Sequence, residues 1–288
     1  MKEVNMKRIL TRTEEIERSI FKTYKSSLWA PFLTAVNRYG LISENDRIAV
    51  CISGGKDSML MGKLLQLLQR HSDFPFELVF LTMDPGYSPK HRQMIEENAE
   101  TLGLPLTFFE TNIFEVSGTL NKKPCYLCAR MRRGHLYNKA RELKCNKIAL
   151  GHHLNDAVET TLMAMFYSSK LETIIPKSHS ENFPEMELIR PMYCVKEESI
   201  LNWCAHNDLH FINCACRFSE QAEHGLTDSK RLETKNLIRK LKQENPYIED
   251  NIFRALHAVQ IESFPGFKAD GEMHSFLDYY DNFGKLKI

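Results

Sequence analysis

The sequence predicts an α/β protein built on a doubly wound, mainly parallel sheet, with a helical N-terminal lead-in and a C-terminal extension. Three observations carry this. Short apolar runs of strand type alternate with helical patterns between residues 47 and 166. The first run leads straight into Gly54-Gly55, and the fourth into Gly151-His152. Both glycine turns thus fall at the carboxyl ends of strands, where sheets of this class place their ligands.

Residues 5 to 40 read as lead-in helices, with Ile9, Ile16, Ile20 and Phe21 spaced among charges and Leu33, Ala35 and Val36 following. Arg47 to Ser53 is the first strand, and Met59 to Leu68 carries helical apolar spacing. Glu77 to Thr82 is a second strand, closed by the turn signal Asp84-Pro85-Gly86. Lys90 to Leu102 reads as a helix stopped by Gly103. Leu106 to Glu110 and Lys147 to Gly151 are the third and fourth strands, and Asp156 to Phe166 is the next helix. Leu188-Ile189 is a short strand before Arg190-Pro191. After about residue 200 the pattern turns helical, then ends in Phe264-Pro265-Gly266-Phe267 and a mixed tail. The expected division is a helical segment over 1–45, a nucleotide-binding domain over 46–210 and an extension over 211–288.

With 288 residues the chain can bury a substantial core, and 43% hydrophobic with 26% charged residues is an ordinary globular balance. No apolar run approaches the roughly 20 residues of a membrane span, and the first thirty residues hold no secretory-type apolar stretch. A cytoplasmic protein without membrane partners is expected. Eight cysteines there read as thiols, metal ligands or catalytic groups rather than a disulfide framework. A net charge of +1 leaves any polyanion to local basic patches.

Ser53-Gly54-Gly55-Lys56-Asp57-Ser58 joins a strand to a helix start, so backbone N–H groups and the positive end of the helix dipole face one point. Lys56 adds a charge there, and Ser53 and Ser58 add hydroxyls. A bare tight turn would need only the glycines. The GxxxxGK[ST] loop of kinases and GTPases is excluded, because Asp57 follows Lys56. The hexapeptide resembles the PP-loop, SGGxDS, of the N-type ATP pyrophosphatases. That resemblance implies cleavage of ATP between its α and β phosphates, with transfer of AMP to an oxygen. Gly151-His152-His153-Leu154-Asn155-Asp156-Ala157-Val158-Glu159-Thr160 resembles the same group's second nucleotide motif. The resemblance makes Gly151 and His152 part of the nucleotide lining and gives Asp156 a place near Mg²⁺ and triphosphate. It makes Lys56, Asp57 and Asp156 the catalytic candidates. Met83 and Asp84 match the positions that contact adenine. By its residue type alone, Asp156 also reads as a helix-end carboxylate, and His153 as structural.

Cys125 and Cys128 stand at i and i+3, where one turn of helix lets both reach one metal. Alone, such a pair reads as a redox dithiol, half a zinc site or coincidence. Cys214-Ala215-Cys216, far along the chain, favours a shared metal, and thiolates suit zinc and iron–sulfur alike. The run Pro124 to Gly134, together with both nucleotide motifs and the later cysteines, is similar to the tRNA 2-thiocytidine synthetase family over residues 45–218. The resemblance implies a [4Fe–4S] cluster on Cys125, Cys128 and Cys216, with Cys214 as the substitute, because Cys-x-Cys stands where that family commonly has Cys-x-x-Cys. Cys51, Cys145, Cys194 and Cys204 read as core thiols.

Between Arg130 and Lys147 seven cations face only Glu142. A charge run alone reads as a solvated helix face; next to the cysteine pair, Arg130, Arg132 and Arg133 become candidates for RNA phosphates. A second basic stretch includes Lys230, Arg231 and Lys235. The resemblance implies ATP-dependent thiolation of a cytidine at C2 in the tRNA anticodon loop. Its partners would be tRNA and a sulfur donor, such as a cysteine desulfurase or free sulfide, with a homodimer allowed for. The rivals are thiolation of a uridine or of another small substrate, and a non-catalytic ATP or metal sensor.

Overall fold

The structure, a computed structural model, describes residues 8–111, 124–212, 230–278 and 280, and for 124–130 the backbone alone. Residues 1–234 form one compact unit, so the helical lead-in belongs with the sheet, and residues 235–288 form a second.

Two helices lead in, α1 (Arg12–Phe21) and α2 (Ala30–Arg38), joined through a π-helical turn at Lys25–Trp29. Thr11 caps α1 reciprocally: its hydroxyl accepts the Glu14 N–H, and the Glu14 carboxylate accepts the Thr11 N–H. Ile16 and Ile20 on α1 are fully buried. Then follow β1 (Arg47–Cys51), α3 (Lys56–His71), β2 (Glu77–Asp84), α4 (Pro89–Leu102) and β3 (Leu106–Glu110). Pro89 opens α4 behind the Ser88 cap, and Gly103 closes it at φ 64°. The remaining elements of the first unit are α5 (Pro124–Glu142), β4 (Lys147–Ala149), α6 (Leu154–Ser168), β5 (Lys177–His179), β6 (Glu187–Ile189) and α7 (Glu197–His206). α8 (Lys230–Glu244) starts in the first unit, and α9 (Ile248–Ala255) lies in the second.

The six strands run in the order β3-β2-β1-β4-β6-β5, parallel except for β5, which pairs antiparallel with β6. Residues alternate between faces along a strand. Ala49 and Cys51 of β1 meet Tyr137 and Ala140 of α5 in one apolar cluster. On the other face Gly62 of α3 packs against Ile52, Phe80 and Leu104. Helices thus cover both faces, as near-continuous burial along β1 requires. The chain moves from β1 outward to β3 and returns to place β4 on β1's other side. The topological switch point therefore lies between β1 and β4, the two strands that end in glycine turns.

Several expectations need amendment. β4 ends at Ala149, two residues short of Gly151. The edge strand β5, Lys177-Ser178-His179, carries no apolar alternation to predict it. In the second unit the mixed tail contains a hairpin, β7 (Gly266–Ala269) with β8 (Glu272–Ser275), turned at Asp270-Gly271 with φ of 49° and 86°. Lys147, counted with the basic run, is buried: its ammonium lies 2.7 Å from Asp46 and 3.2 Å from Glu187. It braces the sheet and presents no charge to a polyanion.

Candidate active site

A cleft of about 360 Å³ opens at the switch point. From the end of β1 and the start of α3 come Cys51, Ser53, Gly55, Asp57 and Ser58; from the end of β2 comes Met83. Gly151, His152 and Asp156 reach it from the β4–α6 connection, Arg132 from α5 and Arg231 from α8.

The first loop is closed by Ser58, whose hydroxyl donates to Gly55 O at 2.9 Å and accepts the Ser53 N–H at 3.1 Å. Gly54 holds φ 85°, and a Cβ there would stand 2.6 Å from Ile95 and 2.8 Å from Ile212. Gly55 is the N-cap of α3 and brings no side-chain acceptor, so the helix's first N–H groups keep their capacity for an anion. Ile212, which touches this loop, stands two residues before Cys214.

Lys56 turns to Asp57 at 3.0 Å and to Glu197, near the start of α7, at 3.1 Å. Burial works against its charge, but the two carboxylates outweigh it and hold the ammonium above the usual lysine range. In the second motif Asp156 Oδ2 accepts the His153 N–H at 3.0 Å, capping α6. His153 is buried, with Nε2 3.9 Å from Asp57. Burial pushes His152 down to about 4; Asp156 pulls the other way, and Arg190, Arg231 and His153 depress it further. It is neutral at physiological pH. His152 Nδ1 and Asp57 Oδ1 are buried without hydrogen-bond partners. Two polar atoms so placed, beside a glycine-lined helix start, fit a polar ligand with donors and acceptors such as a nucleotide.

Asp84 serves the turn that follows β2. Its Oδ1 accepts the Gly86 and Tyr87 N–H groups at 2.9 and 2.7 Å, and Arg92 donates to Oδ2 at 2.8 Å. Burial raises its carboxyl, but these donors win and hold it below the usual range. Arg133 is exposed, unlike Arg132. Arg190 donates to Ile175 O, while its buried Nε is without a partner and burial lowers its basicity. Cys51 lines the cleft, but burial, then Cys145, push its thiol up to about 12, so it stays protonated. Cys145 and Cys204 are buried and Cys194 is partly so. Cys125 and Cys128 fall in the opening turns of α5; their side chains and that of Arg130, like Cys214 and Cys216, lie outside the described residues. Sequence reading did not single out Glu197 for the site, and gave Arg231 only as one cation of a run.

A parallel sheet carrying Ser-Gly-Gly-Lys-Asp-Ser on its β1–α3 turn, with a second glycine turn pressed against it, defines a PP-loop nucleotide-binding domain, and the PP-loop domain family matches residues 14–220. A protein of Geotalea daltonii named tRNA-cytidine(32) 2-sulfurtransferase is 35% identical over 85% of this chain and 94% of its own. Another so named, from Pelobacter propionicus, is 34% identical over 87% of this chain and 90% of its own. The chain belongs to the PP-loop family and, within it, to the group of the tRNA-cytidine(32) 2-sulfurtransferases. Its fold is also that of the U34-tRNA thiolase NcsA from Methanococcus maripaludis, solved with its [4Fe-4S] cluster. The TM-score is 0.64 at 19% identity, over 99% of this chain and 97% of that one.

Proposed function

We propose that the protein is an ATP-dependent tRNA sulfurtransferase that replaces the C2 oxygen of cytidine 32 with sulfur. One observation carries the reading: Arg132, four residues or about one helical turn beyond Cys128 on α5, lines the same cleft as the Ser53–Ser58 loop. The activating loop and the thiol-bearing helix thus open on one space.

The loop's N–H groups and Lys56 hold the β and γ phosphates. Asp156, an oxygen donor suited to a hard cation, would hold Mg²⁺; Asp57, one buried oxygen unpartnered, lines the same cleft. Met83, Gly151 and neutral His152 border the nucleotide. The cytidine O2 attacks the α-phosphorus, pyrophosphate leaves, and AMP is joined to the base through oxygen. Sulfur at the hydrosulfide level then forms the C2–S bond as the C2–O bond breaks and AMP departs. Positioning and fixed positive charge are this chain's contribution. Cys125, Cys128 and Cys216, with Cys214 as the alternative third ligand, would hold a [4Fe–4S] cluster, whose chemistry there would be to carry the sulfur. Arg130, Arg132 and Arg133 hold tRNA phosphates.

In this reading residues 46–210 bind ATP and 211–288 bring the third thiolate. A cysteine desulfurase or free sulfide supplies sulfur in the cytoplasm. Among the described residues no helix is long and apolar enough to cross a membrane. Exposed Met165, Phe166, Leu171 and Ile175 in the first unit support a homodimer.

Mass spectrometry of tRNA nucleosides from cells lacking the gene tests the substrate: 2-thiocytidine should vanish, and unchanged thionucleosides would overturn the reading. Anaerobically reconstituted protein should release pyrophosphate with ATP and tRNA. Cys216→Ala should lose the cluster's iron and sulfide, whereas Cys214→Ala should keep them. A colourless protein holding one zinc after anaerobic purification defeats the cluster.

A further inference from the structure

Arg231 enters the cleft from α8, outside both nucleotide motifs. Its Nε donates to Glu159 Oε2 and its Nη2 to Asp156 Oδ1, each at 2.8 Å. The other Asp156 oxygen, Oδ2, accepts the His153 N–H and is committed to the helix cap. Asp156 therefore has one oxygen beyond its cap bond, and Arg231 holds it. The two ends of this fork differ. Glu159 is 2% exposed, whereas the Arg231 side chain is about half exposed and lines the cleft beside Asp156. One arm is anchored on a buried carboxylate; the other rests on a carboxylate of the cleft wall.

We propose that Arg231 is a partner-exchanging positioning residue: it yields Asp156 Oδ1 to the divalent cation that enters with ATP, remains anchored on Glu159, and turns its freed N–H group to a phosphate oxygen. This rests on reading Asp156 as the magnesium-bearing carboxylate. Two cations crowding one oxygen repel each other, so cation and guanidinium compete for Oδ1. The planar guanidinium suits the exchange because one edge can stay bound while another N–H changes partner; a lysine ammonium offers no such rigid fork. A brace that never lets go would make a different prediction. Removing a brace weakens every ligand of the site, whereas removing a competitor strengthens one ligand and weakens the other.

The test uses the full-length protein, Mn²⁺ followed by electron paramagnetic resonance, and the Mn²⁺ complex of α,β-methylene-ATP. In Arg231→Ala, free Mn²⁺ should bind about threefold tighter and the nucleotide complex about fivefold weaker, the scale of one partly exposed ion pair. Both affinities unchanged, or both reduced, overturns the exchange. Glu159→Gln combined with Arg231→Ala removes the carboxylate that the single variant would strand, so a melting curve and the same opposite shifts guard against misfolding. Asp156→Asn separates the two readings. It should abolish tight Mn²⁺ binding; if it leaves Mn²⁺ binding untouched, the metal role of Asp156 fails and the exchange with it. An Arg231 result without opposite signs, beside an Asp156→Asn that behaves as expected, sinks the exchange alone.

Discussion

Gly151 lies against the backbone of Ser58: a Cβ built on it would stand 3.1 Å from the Ser58 amide nitrogen and 3.2 Å from the Asp57 carbonyl carbon. The second glycine turn is thus packed on the N-terminal turn of α3, whose N-cap, Gly55, brings no side-chain acceptor. Backbone cannot yield as a flexible side-chain tip can. Gly151→Ala should therefore push the two turns apart at a cost of about 1–3 kcal/mol in stability. ATP affinity should fall more than the melting shift alone explains. Calorimetric ATP titration beside a denaturant melt checks this, and an unchanged dissociation constant would show that the contact does not shape the nucleotide site.

Lys56 stands between Asp57 and Glu197, and its ammonium is held above the usual lysine value. Its charge is therefore present across all physiological pH. The sign for stability follows from a folded pKa above the unfolded one: the contribution is full below about 10.5 and is lost as pH rises through the folded value. The stability gap between wild type and Lys56→Met should stay constant from pH 6 to 9 and close only in strong alkali. ATP binding in Lys56→Met should weaken by about 1.5–3 kcal/mol, the scale of a hydrogen bond to a charged group. A gap that closes near neutrality would contradict the geometry.

His152 behaves in the opposite sense. Burial, before any charge, carries it down to about 4, below the usual 6.5. The unfolded chain takes the proton first, so this contribution is full above about pH 6.5 and drains away between 6.5 and 4. Its size is on the order of 3 kcal/mol at most. Denaturant melts at pH 7 and 4.5 should show wild type losing more stability than His152→Asn. Equal losses would mean that the imidazole is not buried in its neutral form.

Much of this was legible because the inner strands are buried on both faces. Ile48, Ala49 and Val50 have no solvent side, so the sequence there is continuously apolar and stops where the glycines begin. Apolar spacing begins only at Met59, three residues into α3, because Lys56, Asp57 and Ser58 serve the loop. β5 escaped because Lys177-Ser178-His179 is an edge strand stabilised by pairing with β6, a long-range cause that a local pattern does not carry. The hairpin carries one local signal, Asp270-Gly271, without the flanking apolar alternation that would mark its strands. Glu197 and Arg231 reach Lys56 and Asp156 across 141 and 75 positions of sequence. Neither spacing nor composition encodes such meetings.

Charge read from sequence also needs sorting by place, and Lys147 and Arg132 separate the cases. Lys147 is 5% exposed in its side chain and bound to Asp46 and Glu187; Glu187 keeps Lys177, so removing Lys147 leaves the buried Asp46 carboxylate without its cation. Lys147→Ala should cost about 3–5 kcal/mol. Where the variant still folds at low temperature, its affinity for tRNA should match wild type. Arg132, a partly exposed lining residue of the cleft, should show the reverse. Arg132→Ala should leave the melt within about 0.5 kcal/mol of wild type. Its tRNA binding should weaken and the slope of log affinity against log salt should fall by about one, as expected when one phosphate contact is lost. Filter binding across a salt series, run beside melts of both variants, distinguishes the two cations. Loss of tRNA affinity in folded Lys147→Ala would place the RNA path on the wrong side of the sheet. An unchanged salt slope in Arg132→Ala would remove Arg132 from that path.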